Sequence, residues 1–121
     1  MQLTPDTIQD LVTIAFALEP LADKPGCTSR TVDLPGKPLS DFVIAGINVG
    51  KYFRLHAHDV LANIESPIFN YFLPALQNAN AYKSAKTLNF GLLEIMFPVV
   101  SACLRASTAA GAVDATIHVM Q

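Results

Sequence analysis

Between Leu88 and Leu104 the chain runs for about 17 residues with hardly a polar side chain, and this stretch constrains the fold more than any other. Such a segment has two physical outlets, a lipid bilayer or a shell of other segments. Its length sits at the lower limit for a membrane span, and Asn89, Glu94 and Pro98 interrupt it. A helix buried at the centre of a bundle accommodates it better, so no membrane is expected. That reading requires the rest of the chain to supply amphipathic helices.

It does. Thr4 is a suitable N-cap, Pro5 fits the first helical position, and Asp6 places negative charge where the helix dipole favours it. Ile8, Leu11, Val12, Ala15 and Leu18 then recur at helical spacing until Pro20 ends the run near Glu19. Pro20 to Lys37 reads as a long connection, rich in proline and glycine, of a length that is often functional. Ser40 or Asp41 caps a second predicted helix with Phe42, Val43, Ile47, Phe53, Leu55 and Val60 among its apolar positions. Gly46 and Gly50 fall four apart on one face of it, where a neighbouring helix can approach closely. A third helix is expected after Pro67, from Ile68 to Leu76, with Pro74 as a possible kink. The apolar helix follows, from about Leu88 to Ala106, and residues 113–120 are ambiguous between helix and strand. No segment shows a sustained period of two. The fold class is therefore all-α: a compact bundle of four to five helices around a central apolar helix, forming one domain over residues 1–121.

Composition sharpens the expectation of a partner. Hydrophobic residues make up 51% and charged residues only 15%, against about 25% charged in ordinary soluble domains. These values exclude disorder and imply that part of the apolar surface is covered by another chain, such as a second copy, or by the remainder of a longer protein. A net charge of -2 with scattered lysines and arginines gives no footprint for nucleic acid or an anionic membrane. The N-terminus lacks the basic flank of a secretory leader, so a cytoplasmic location is expected, with Cys27 and Cys103 as reduced thiols.

Motifs for zinc hydrolysis, a nucleophile elbow, a P-loop or a dinucleotide fold are absent from the sequence. His56 and His58 point to different sides of a helix and are expected to be exposed or partner-facing, while Cys103 reads as a small core residue. Two segments carry more chemistry. Lys24-Pro25-Gly26-Cys27-Thr28-Ser29-Arg30 combines a rigid turn, two cations and two hydroxyls, the equipment of a loop that holds phosphate oxygens. Ser84 to Gly91, with Lys86 and Asn89, enters the apolar helix at its dipole-positive end, where anions are favoured. A plain surface turn and a simple helix cap explain the same residues without any ligand.

Taken in order, these segments resemble the triphosphoribosyl-dephospho-CoA synthase family. A helix ending in a glutamate (Glu19) leads to Lys24-Pro25-Gly26 with Arg30 a few residues on. A phenylalanine-bearing helix starts at Asp41-Phe42, and a later loop ending in Asn89-Phe90-Gly91 enters a leucine-rich helix with Pro98. The similarity covers residues 11–106. It implies ATP-dependent transfer of a triphosphoribosyl group to dephospho-CoA, with ATP and magnesium between the two loops. Lys24, Gly26, Arg30, Lys86, Asn89 and Gly91 would hold nucleotide phosphates, and Glu19 and Asp41 would hold the metal. No residue is singled out as catalytic. The family's paired glycines stand here as Ala85-Lys86, and the chain is less than half the usual family length. Three functions therefore stay open: a nucleotide-binding domain related to the transferase, active or not; a non-catalytic helical module for oligomerisation or partner binding; and a purely structural protein with no small-molecule site.

Overall fold

The computed structural model describes residues 2–22, 39–80 and 90–108, and the described residues form helices and turns only. Helix α1 spans Pro5–Leu18 and runs into a single 3₁₀ turn, Glu19–Leu21. The start follows the expected chemistry. The Thr7 backbone N–H donates to Thr4 Oγ1 at 3.1 Å, and the Ile8 N–H donates to the Thr4 carbonyl at 2.9 Å. Pro20 tightens the last turn and is itself buried.

Helix α2, Leu39–Leu61, is the spine of the molecule. It begins at Leu39, so Ser40 and Asp41 lie inside the first turn rather than at the cap. Its buried row is Ala45, Gly46, Val49, Gly50, Phe53, His56 and Ala57. Of the expected apolar positions, Phe53 is central, whereas Ile47 and Leu55 are exposed. The helix ends in a Schellman motif. Ile64 N–H donates to the Asp59 carbonyl at 3.0 Å, Asn63 N–H donates to the Val60 carbonyl at 3.2 Å, and Asn63 has φ 54°. Asparagine tolerates this left-handed conformation better than other residues with a Cβ.

The third helix is shorter than expected. Residues 68–71 are turns, and α3 proper is Phe72–Ala79. Pro74 sits at its third position, within the first turn, where a missing N–H breaks no intrahelical bond, so no kink is needed. Helix α4 spans Phe90–Thr108, with Pro98 inside it. Leu93, Phe97, Val100, Ser101, Ala102 and Leu104 are buried, while Ile95, Val99 and Cys103 are exposed. Cys103 is therefore a free surface thiol and not a core residue, because it lies off the 93–97–100–104 row.

Contacts fix the helix directions. Phe16 meets Gly46, and Gln9 and Thr13 meet Gly50, so α1 and α2 are antiparallel. Asn48 Nδ2 donates to the Asn78 carbonyl at 3.4 Å and the Tyr71 hydroxyl donates to Asp59 Oδ2 at 2.6 Å, so α2 and α3 are antiparallel. The Phe53 and Phe97 rings stack at 4.2 Å, and His56 pairs with Ser101, so α4 runs parallel to α2. The result is an up-down-up-down bundle. The α1–α2 and α3–α4 connections join helix ends at one end of it, and the α2–α3 turn lies at the other.

Its core is continuous from Ile8, Val12 and Phe16 through Val49 and Phe53 to Leu93, Phe97 and Leu104. Each large side chain in it contributes about 1.5–3 kcal/mol of transfer free energy.

Candidate functional site

The end of the bundle that gathers the α1–α2 and α3–α4 connections is the first candidate. Glu19 is exposed in the 3₁₀ turn that closes α1, and Asp41 is half-buried in the first turn of α2. The antiparallel packing of α1 on α2 brings these two carboxylates to the same end. Gly91 stands in the first turn of α4, exposed, with nothing within 4 Å of a Cβ placed on it. It precedes Phe97 by as many residues as Ile47 precedes Phe53. Gly91 is thus level with Ile47, about 9 Å along the axis from Asp41. Lys24, Gly26, Arg30, Lys86 and Asn89 lie outside the described residues, as does Cys27.

Among the described residues no cluster of three or more His, Cys, Asp or Glu side chains forms. Two carboxylates suit magnesium, which is commonly bound by one or two acidic side chains together with substrate phosphates. The donor chemistry of Glu19 and Asp41 fits that role and no more enclosed one.

The opposite end holds a site that sequence reasoning missed. His56, expected to be exposed, is only 2% exposed, and Ser101 only 1%. The His56 Nε2 and Ser101 Oγ atoms lie 2.7 Å apart, joining α2 to α4. The imidazole stands edge-on to Phe97 at 5.2 Å and to Tyr71 at 6.5 Å. Its Nδ1 is buried without a hydrogen-bond partner. Burial holds the imidazole below its ordinary pKa; the Phe97 carbonyl and then the Asp59 carboxylate oppose it, and Arg105 adds the smallest push downward. The ring is therefore neutral at pH 7. His58, in contrast, is exposed. One signal for His56 was present in the sequence: it continues the row of Val49 and Phe53 at spacings of four and three.

Asp59 anchors the turn that covers this end. It accepts the Tyr71 hydroxyl, and that bond holds the phenol above its ordinary pKa. Between the turn and the last turns of α4 opens a cleft of about 690 Å³. Val60, Ile64, Ile68 and Leu104 form its apolar walls, and His56 and Ser101 also line it.

No helix among the described residues is long and apolar enough to cross a membrane. No protein-family model, characterised protein or solved structure matches the chain.

Proposed function

We propose that the chain is a nucleotide-binding helical domain of the triphosphoribosyl-dephospho-CoA synthase type, with its phosphate site at the end of the bundle that gathers the α1–α2 and α3–α4 connections. One observation carries the reading. The helix directions bring to one end of the bundle the helix ends that flank segments 24–30 and 84–91, two stretches far apart in sequence whose residue types suit phosphate. The axial offset between Asp41 and Gly91 is comparable to the length of a triphosphate chain.

In this reading Lys24 supplies a point charge and Arg30 a bidentate fork for phosphate oxygens. Gly26 and Gly91 permit close backbone approach, Lys86 adds charge for the phosphates, and Asn89 orients a phosphate or ribose oxygen. Glu19 and Asp41 hold magnesium, whose chemistry when bound is to offset phosphate charge. Transfer of a triphosphoribosyl group breaks the glycosidic bond of ATP and releases adenine, so all three phosphates stay on the ribose; the cations and the dipole-positive helix end hold that charge and position the ribose as it bonds to dephospho-CoA. Titration calorimetry with ATP and magnesium tests the assignment. Lys24→Ala and Arg30→Ala should each weaken binding at least tenfold, and unchanged binding in both would remove the site.

A second reading, a homo-oligomerising module, is favoured by a different observation. Leu11, Ile14, Leu18 and Leu21 are 40%, 53%, 57% and 37% exposed, at a three-four-three spacing typical of helix seams. Sedimentation of the native chain beside Leu18→Glu checks it: a dimer that the substitution dissociates supports the seam, and a native monomer removes it.

A further inference from the structure

We infer that the exposed face of α1 is the contact surface of a two-fold dimer, in which α1 packs antiparallel against α1 of a second copy with the centre level with Phe16. The inference rests on the oligomeric reading of that face and adds its partner, direction and register. Leu11, Ile14, Leu18 and Leu21 are exposed. The 3₁₀ turn keeps Leu21 in line with Leu18, because residues three apart eclipse in that geometry. Phe16 meets Gly46 and the two helices are antiparallel, so Leu18 is level with Ile44 of α2. Ile44 and Ile47, 39% and 59% exposed, add apolar surface at the height of this centre.

The pattern itself selects a second copy. The four positions on α1 and its 3₁₀ turn are symmetric about residue 16, so reversing the chain sets Leu11 against the second copy's Leu21 and Ile14 against its Leu18. A two-fold contact requires such a self-complementary surface, and an unrelated partner does not. Charge selects the direction. The other exposed side chains of residues 5–21 are Asp6, Asp10 and Glu19, all acidic. A parallel pair would hold each at the height of its own counterpart and align the two helix dipoles. Antiparallel pairing opposes the dipoles. It also carries Asp10 about 18 Å along the axis from its counterpart, beyond a screening length of about 8 Å.

Sedimentation of the native chain comes first, and a monomer would remove the oligomeric reading and this proposal together. Thiol cross-linking then reads the register, in a chain carrying Cys27→Ser and Cys103→Ser because Cys103 is an exposed free thiol. Oxidation of a mixture of Leu11→Cys and Leu21→Cys chains should yield at least tenfold more cross-linked dimer than oxidation of either chain alone. Equal cross-linking of either chain alone, or none in variants that sediment as dimers, would overturn the antiparallel register while leaving the dimer. If the cysteine variants dissociate, isotope-filtered methyl NMR on dimers of one labelled and one unlabelled native chain reads the same contacts. Leu11–Leu21 and Ile14–Leu18 contacts between copies are expected; Leu11–Leu11 contacts, or none from α1, would overturn the proposal.

Discussion

Helix α2 meets its neighbours in two different ways. Toward α1 it presents Gly46 and Gly50, and the helices come so close that a Cβ on Gly46 would lie 2.8 Å from Phe16 Cβ. Toward α4 it presents Phe53 and His56, whose rings hold the helices apart with an aromatic stack and one buried polar pair. Small residues yield a seam with no spare volume. Large planar ones yield a joint with an unsatisfied nitrogen and, at its open end, a cleft. The first seam is closed by backbone approach, whereas the second leaves a cleft at its end.

The largest expected effect comes from the residue that serves both seams. Phe53 stacks on Phe97 and lies 6.1 Å from Phe16. Phe53→Ala should cost about 3–5 kcal/mol in denaturant unfolding. A cost near 1 kcal/mol would mean that the two seams are not joined through this ring.

Gly46→Ala comes next. The clash is with a Cβ, which cannot swing aside, and overpacking of this type costs about 1–3 kcal/mol. Better helix propensity returns up to about 1 kcal/mol, so a net loss of about 1–2 kcal/mol is expected. Gly50→Ala should cost less, since the nearest atom there is the Thr13 hydroxyl at 2.5 Å, which can change rotamer. Equal losses at the two glycines would contradict a seam closed by backbone approach at Gly46.

The α4 joint predicts a pH dependence that the α1 seam does not share. The folded-state pKa of His56 is lowered, so the unfolded chain binds more protons once the pH falls below about 6.5. Stability contributed by the neutral ring is full above that value and is lost as the pH drops toward the folded pKa. The unfolding midpoint of the native chain should therefore fall between about pH 7 and 5 more steeply than that of His56→Gln. Parallel curves would show that the ring is not buried in its neutral form.

The smallest effect lies at the rim of the cleft. Asn63→Ala should cost about 1 kcal/mol, since alanine tolerates φ 54° less well, and Asn63→Gly should restore or exceed native stability. The reverse order would argue against the Schellman turn.

These contrasts also explain which parts of the fold were legible in the sequence. Helix α1 could be read to within a residue, because Thr4, Pro5 and Asp6 mark its start locally and Pro20 marks its end. The glycine face of α2 was legible for the same reason, as four-residue spacing is a local property. The burial of His56 and the exposure of Cys103 depend on which row of α2 or α4 meets a partner, and residue type pointed the wrong way in both. The third helix was overextended because Ile68 to Tyr71 look helical by composition, although the bond from Tyr71 to Asp59 holds them in turns. Of the proposed phosphate site, Glu19, Asp41 and Gly91 lie toward one end of the bundle, a placement that follows from helix directions and not from sequence spacing.

The most direct test of the nucleotide-binding account is thermal unfolding of the native chain with and without ATP and magnesium, followed by addition of dephospho-CoA. A ligand at about 100 times its dissociation constant adds about 2.7 kcal/mol, which raises the midpoint of a domain of this size by several degrees. The account predicts such a rise with ATP and magnesium, reduced in Lys24→Ala and Arg30→Ala. An unchanged midpoint with both ligands would contradict it and leave a helical scaffold whose two phosphate-like loops bind no nucleotide.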